Sequence, residues 1–241
     1  MWQARYESKK SQAMNALMRL FQRFSSPKVL ESTSALAARI HFEQELLPFD
    51  LLGRSLSYNP YPPRFKEIFP TLDSPRGVLV KGFVFDELES IIATLQTQRA
   101  NIIVLDLARD SEANPSGEGL ECIGYLRHYT NALIVLKDSF IAPYQILQAV
   151  VYGADGIVLD RDSKGHKELL EFAFRLNCMG FYMIKTLKDI KSAVLAKAQG
   201  VFVDDSVYDE LVSLIPQSKC ICHFVPKDRI ATRADFMCVQ V

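Results

Sequence analysis

Charged side chains recur along the chain from residue 81 onwards, each at or just after the end of a short apolar run. Lysines alternate with carboxylates and a histidine comes last: Lys81, Asp106, Lys137, Asp160, Lys185, Asp204, Asp205 and His223. Lysine can donate a proton or bind an anion, whereas a carboxylate or an imidazole can accept a proton. Any one of them could simply mark where a strand leaves the core. As a set they favour a pocket for a small charged molecule.

The apolar runs have the character of buried parallel strands, since they show little alternation of apolar and polar residues. We predict eight strands, at 77–81, 101–106, 132–137, 156–160, 180–185, 200–204, 219–223 and 235–240. Helical spacing between them predicts helices at 86–98, 118–129, 142–152, 165–178, 187–198 and 206–214. This βα alternation predicts a (β/α)8 TIM barrel over 76–241, after an extension over 1–75. The carboxyl ends of the strands would place the charged residues around one mouth.

The extension is predicted to be helical and to end in a proline-rich connector. Apolar residues at helical spacing, with basic residues between them, predict a helix over 8–24. Ser34 is a candidate N-cap of a second helix that runs to Leu47. The connector, 58–63, breaks regular structure because proline fixes φ and lacks an N–H donor. The basic, amphipathic first helix is also a possible site for a protein partner.

Composition limits the class of protein. The chain has 241 residues, of which 49% are hydrophobic, and a formal net charge of zero. We therefore expect no nucleic-acid partner and no attraction to an anionic membrane. No apolar run reaches the roughly 20 residues that span a bilayer, and no secretory signal is recognisable. Five cysteines without CxxC spacing favour reduced thiols in the cytoplasm, and Cys220, Cys222 and His223 lack a second pair of metal ligands.

A motif leaves the third apolar run. It reads Lys137-Asp138-Ser139-Phe140-Ile141-Ala142-Pro143-Tyr144-Gln145-Ile146 and is followed by Gly153-Ala154-Asp155. It resembles the indole-3-glycerol-phosphate synthase family, whose pattern is roughly P-V-L-x-K-D-F-I-I-D-x-Y-Q-I followed by G-A-D. The resemblance implies a barrel enzyme of tryptophan biosynthesis, a carboxy-lyase that needs no cofactor or metal. Its substrate would be phosphorylated: ring closure and decarboxylation would turn a carboxyphenylamino-deoxyribulose phosphate into indole glycerol phosphate.

The resemblance also implies roles for individual residues. Lys137 would be the general acid at ring closure and dehydration. Lys81 lies near the family's E-I-K strand, where either family residue could be its counterpart, and would assist as a cation at the substrate carboxylate. Asp138 would orient the loop after the third strand. The candidate substrate-binding residues are Asp106, Asp138, Asp160, Lys185 and Asp204.

Several family features are missing. The family's fifth strand, roughly L-V-E-V-H, supplies a catalytic glutamate, and here Met183 or Ile184 takes its place. Asp204 replaces a neutral asparagine, and the glycine-serine phosphate cradle has no counterpart before the sequence ends at Val241, so we expect a shortened carboxyl end. A lost proton-transfer group costs about 10²–10⁴ in rate. These losses favour the alternative of a non-catalytic pseudoenzyme that serves as a binding or assembly module, whereas the retained Lys137 keeps the enzyme hypothesis open.

Overall fold

A closed barrel of eight parallel strands forms the centre of the protein. The structure, a computed structural model, describes residues 33–81, 87–107, 119–160, 165–225 and 233–240. The strands are β1 Arg76–Lys81, β2 Ile102–Asp106, β3 Leu133–Lys137, β4 Gly156–Leu159, β5 Met179–Ile184, β6 Gly200–Val203, β7 Cys220–Val225 and β8 Phe236–Gln240. Each strand pairs in parallel with the next, and β8 pairs with β1, which closes the barrel. The predicted TIM barrel is confirmed, and each strand lies within two residues of its predicted bounds.

Helices cover the outside of the barrel. They are α1 Thr33–Leu46, α2 Phe49–Arg54, α3 Phe65–Ile68, α4 Leu88–Thr97, α5 Leu120–Tyr129, α6 Pro143–Tyr152, α7 His166–Arg175, α8 Leu187–Leu195 and α9 Tyr208–Leu211. The predicted N-cap at Ser34 is wrong, because α1 begins at Thr33 and Ser34 lies inside the helix. The single helix predicted over 206–214 is also wrong: α9 is one turn long and lies between two 3₁₀ turns. The helix predicted over 8–24 lies outside the described residues, and the division at residue 75 stays a prediction.

The interior of the barrel and the layer under the helices form separate apolar cores. Inward-facing strand residues, including Phe181, Phe202 and Phe236, fill the barrel itself. Outward-facing residues pack against the helices. Such filling from alternate strand residues is typical of this fold, because successive side chains of a strand point to opposite faces.

The amino-terminal end of the barrel, which we call the floor, is closed by the connector and α3. Phe65 of α3 is 2% exposed and packs against Phe181 at 5.3 Å between ring centroids. The residue before it, Arg64, bonds to groups that precede β3 and β4. Since α3 occupies the floor, a ligand can reach the barrel from the opposite, carboxyl-terminal end.

None of the helices in the described part of the chain has the length and apolar character that a bilayer crossing requires. All five cysteines are free thiols. Cys222 and Cys238 face the barrel interior, and burial raises the pKa of the Cys222 thiol well above its usual value. The Cys222 thiol therefore stays protonated and contributes to packing.

Candidate active site

The carboxyl ends of the strands surround a pocket of about 420 Å³, which we call the mouth. Its polar wall consists of Lys81, Asp106, Lys137, Lys185, Asp204, Asp205 and Gln240. Its apolar wall consists of Leu79, Met183, Phe224, Val225 and Cys238. Most of the charged strand-end residues predicted from the sequence thus meet at one site.

Lys137 and Asp106 form the closest charged pair in the mouth. They lie side by side at the ends of β3 and β2, and Lys137 Nζ is 2.5 Å from Asp106 Oδ2. Their side chains are 21% and 9% exposed, so water screens the contact little. A hydrogen bond between two ionised groups stabilises the charged ammonium. Lys137 is therefore held in the wall of the mouth by the Asp106 carboxylate.

The other two lysines are more open. Lys185 Nζ is 3.3 Å from Asp160 Oδ2, and the lysine side chain is 51% exposed. Asp160 is not among the residues that line the mouth. Lys81 forms no ion pair with any residue that the structure describes. Both lysines can therefore turn towards an anionic ligand at small cost.

Asp204 is held as a carboxylate by the turn that follows β6. Its Oδ1 accepts hydrogen bonds from the Ser206 hydroxyl at 2.6 Å and from the Ser206 backbone N–H at 3.0 Å. The hydroxyl bond is the main cause that lowers the pKa of Asp204, and the nearby positive charge of Lys185 adds to it. Asp204 consequently contributes a fixed negative charge to the wall of the mouth.

Asp205 is held differently, by a histidine behind it. His223 Nε2 is 2.8 Å from Asp205 Oδ1, and the imidazole side chain is fully buried. The ring of Tyr208 stacks on it at 3.5 Å between centroids, and burial raises the pKa of Tyr208 to about 12. The histidine expected at the mouth therefore does not line it, because β7 continues to Val225 and His223 points to the outer side of the barrel.

Two relatives of the chain are indole-3-glycerol phosphate synthases. An indole-3-glycerol phosphate synthase of Campylobacter hominis is 30% identical over 201 residues, which cover 74% of this chain and 76% of the relative. Another, from Campylobacter concisus, is 32% identical over 200 residues, covering 72% and 74%. No model of a known protein family matches the chain. The chain belongs to the indole-3-glycerol phosphate synthase family.

Solved structures with a similar fold are more distant in sequence. Tryptophan synthase from M. tuberculosis superimposes with a TM-score of 0.58 at 15% identity, covering 74% of this chain and 89% of that one. A structure of native KDPGal gives a TM-score of 0.54 at 14% identity, covering 69% and 82%. At these identities the likeness shows the barrel fold alone.

The motif shared with the synthase family builds the loop that supports Lys137. Gln145 is fully buried, and its Oε1 accepts the backbone N–H groups of Ile141 at 2.7 Å and Ala142 at 3.1 Å. Its Nε2 donates to the carbonyl of Ser139 at 2.8 Å. Asp138 is 4% exposed and accepts the Ser139 N–H, and it is absent from the residues that line the mouth. These contacts support a loop-orienting role for Asp138, while its role in substrate binding stays a prediction.

The G-A-D part of the synthase motif lies at the floor, far along the strand from the mouth. Asp155 is fully buried just before β4. Arg127 Nη1 donates to both of its oxygens at 2.8 and 2.9 Å, and Arg64 Nη2 reaches Oδ2 at 3.2 Å. The backbone N–H of Ile134 also donates to it, at 2.8 Å. Sequence reasoning gave this aspartate no role, because its arginine partners lie 91 and 28 residues away.

The apolar wall of the mouth distinguishes two residues of β5, Met183 and Ile184, that the sequence left as alternatives. Met183 lines the mouth, whereas Ile184 is buried in the outer core. Of the two residues that the sequence offered for the place of the family's glutamate, Met183 is therefore the one on the inner face of β5. On β1, Leu79 and Lys81 both line the mouth, and on β8 Gln240 does so. Strict alternation along each strand was the signal that could have found Leu79 and Gln240.

Proposed function

We propose that the mouth binds the phosphorylated substrate of the family's reaction, a carboxyphenylamino-deoxyribulose phosphate, and that Lys137 is the general acid for its conversion to indole glycerol phosphate. The observation that carries this proposal is the Lys137–Asp106 contact of 2.5 Å inside the mouth. It places the amino group of Lys137 beside a carboxylate where the strand ends converge. The family membership makes this substrate class the first to test.

The chemistry assigned to Lys137 consists of two proton donations. At ring closure, the substrate carbonyl oxygen would take a proton as the new carbon–carbon bond forms, and the carboxylate would leave as CO₂. At dehydration, the resulting hydroxyl would leave as water. Lys81 would pair with the substrate carboxylate before CO₂ leaves, and Lys185, which is 51% exposed, can extend towards the phosphate. A phosphate bound by lysine side chains alone is held less rigidly than one bound by backbone N–H groups.

Calorimetry with the carboxyphenylamino-deoxyribulose phosphate and with indole glycerol phosphate tests the binding step. We expect the wild-type chain and the exposed-lysine control Lys188→Ala to bind alike, and Lys137→Ala to bind at least about tenfold more weakly, because a hydrogen bond between charged groups contributes about 1.5–3 kcal/mol. An assay for indole glycerol phosphate then tests turnover. Absence of binding to both compounds would contradict the proposal.

A second candidate function, binding without turnover, is favoured by the apolar wall. Met183 faces the mouth where the synthase pattern has a glutamate, and a thioether cannot transfer a proton. If Lys81 corresponds to the lysine of the family's E-I-K pattern, Leu79 corresponds to the glutamate of that pattern. In such a module, the amino-terminal helices remain the predicted site for a protein partner. A cytoplasmic location likewise remains a prediction from the use of cysteine.

Met183→Glu separates the two candidates. If the chain has lost turnover through this position, the substitution should raise indole glycerol phosphate formation by about tenfold or more, because proton-transfer groups contribute about 10²–10⁴ in rate. Met183→Gln is the matched control, since it introduces a polar group of similar size without basicity. Equal turnover in the wild type and in Met183→Glu would favour a catalytic chain that uses another base.

A further inference from the structure

The dehydration step needs a proton acceptor as well as the donor Lys137. The wall at β5 offers Met183 and no base. On the other side of the mouth, the turn after β6 presents two adjacent carboxylates, Asp204 and Asp205. The inference below rests on the proposed function, because it assigns the acceptor for that reaction.

We propose that Asp205, held in place by the buried His223, is the catalytic proton acceptor of the mouth. β6 pairs directly with β5, with Ile184 opposite Val203, and Asp205 follows two residues after Val203. Neighbouring strands lie about 4.8 Å apart. A carboxylate after β6 is thus displaced by about one strand spacing from the wall at β5.

The contact with His223 and the turn that contains Asp205 fix its position. The Oδ1 atom is 2.8 Å from His223 Nε2, and the imidazole is immobilised by the stacked ring of Tyr208, which lies 13° from parallel. The carboxylate belongs to a 3₁₀ turn, Asp205–Val207, that is capped by Asp204. Its side chain keeps 31% exposure and lines the mouth. The side chain is therefore anchored by the histidine and partly exposed towards the mouth.

Asp205 suits this role better than its neighbour. Two hydrogen bonds from Ser206 engage Oδ1 of Asp204, and they lower its pKa, which makes it a weaker base. The ionisable groups that face the pair include Lys185 beyond β5 and His223, and Tyr208 covers the histidine. Asp205 carries the acceptor role, and His223 is a positioning residue that acts through it.

The dehydration step removes one proton from carbon and one hydroxyl group from the neighbouring carbon. The C–H bond next to the hydroxyl-bearing carbon breaks, and its proton passes to the Asp205 carboxylate. Its electron pair forms the carbon–carbon double bond of the indole ring. The hydroxyl group leaves as water with a proton from Lys137. Exchange with solvent then removes the proton from Asp205 and returns one to Lys137.

The pH dependence of kcat in single variants of the full chain tests the assignment. Asp205→Asn should lower kcat by about 10²-fold or more, change KM little and remove the acid limb of the profile. Asp204→Asn is the matched control and should retain that limb. His223→Gln, whose amide can still donate to Asp205, should retain more of kcat than His223→Leu, with circular dichroism confirming that each variant is folded.

The outcomes separate this inference from the proposed function. If the wild type turns over and Asp205→Asn keeps kcat within twofold with an unchanged profile, the inference is overturned alone. If the wild type binds both compounds without turnover, the acceptor role and the catalytic half of the proposed function are both wrong, while binding stands. If nothing binds, both proposals are overturned.

Discussion

The floor and the mouth of the barrel both pair basic side chains with carboxylates. The pairs differ in burial and in the number of hydrogen bonds that each carboxylate accepts. At the floor, Asp155 is fully buried and accepts bonds from Arg64, Arg127 and a backbone N–H. At the mouth, Lys185 meets Asp160 through one contact and stays half exposed. A buried carboxylate must be fully satisfied, whereas an exposed pair contributes little to stability. The floor thus holds the fold, and the mouth keeps charges available for a ligand.

The same contrast explains where the family resemblance survives. Tyr144 donates its hydroxyl to the carbonyls of Glu43 and Leu47, which ties α6 to the end of α1. Gln145 builds the loop after β3, and Asp155 closes the floor. Met183, where the sequence predicts a departure from the family pattern, lies at the mouth. In this diverged chain, these motif residues stabilise the fold, and none of the three lines the mouth.

The largest effect is expected at the floor, from Asp155→Asn. The substitution keeps the volume but removes the charge that faces the buried Arg127, and breaking a buried pair costs about 3–5 kcal/mol of unfolding free energy. Urea unfolding of this variant should be compared with that of Asp50→Asn, an exposed aspartate of α2 that should lose almost nothing. Equal stability of the two variants would remove the distinction between floor and mouth.

Gln145→Leu should have the next largest effect. We expect it to lower both the unfolding free energy and the affinity of the mouth for its ligand. It removes the Gln145 partner of two half-buried N–H groups and of a carbonyl in the β3–α6 loop, at about 2–3 kcal/mol of unfolding free energy. Because the loop positions Lys137, ligand affinity should also fall. Gln96→Leu, on the exposed surface of α4, is the matched control for unfolding. Unchanged affinity in a destabilised Gln145→Leu chain would show that the loop does not position Lys137.

Lys185→Ala should show the reverse pattern, a loss in binding without a loss in stability. The lysine is about half exposed, so its pair with Asp160 should contribute less than about 1 kcal/mol to unfolding. Calorimetric affinity for indole glycerol phosphate should fall if the side chain reaches the phosphate. A clear loss of stability with unchanged affinity would make this lysine a structural residue like those of the floor.

The smallest effect is expected from Ser206→Ala. Removing the hydroxyl should raise the pKa of Asp204 towards its usual value, because that bond is the main cause of the lowered pKa. A lowered carboxyl pKa stabilises the folded state above the unfolded-state pKa, and this contribution disappears as the pH falls through the folded-state pKa. The variant should therefore be slightly less stable than the wild type at neutral pH and equal to it in acid. Carbon-13 titration of the Asp204 carboxyl group measures the shift directly, and an unmoved pKa would contradict the assignment.

Parts of the fold were readable from the sequence for a local reason. Buried parallel strands are continuous apolar runs, so β1 to β8 stand out between helical segments. The number of strands predicted the barrel but left the closure by its last two units open, because the segment between the last two predicted strands is barely long enough for a crossover helix. The structure supplies the closure, since β8 pairs with both β7 and β1. The short helix α9 was not predictable, because its apolar residues have helical spacing although 3₁₀ turns flank it. Helix ends are set by caps and tertiary contacts that periodicity does not record.

By itself, the sequence determined most of the charged residues that stand at the strand ends, and that a family motif begins at Lys137. Only the tertiary structure decided which of them meet. It placed Met183 rather than Ile184 in the mouth, turned His223 outward behind Asp205, and gave Asp155 its two arginines. The reason is physical: local pattern fixes the type of element, whereas the face that a side chain presents and its distant partners depend on register and packing across the closed barrel.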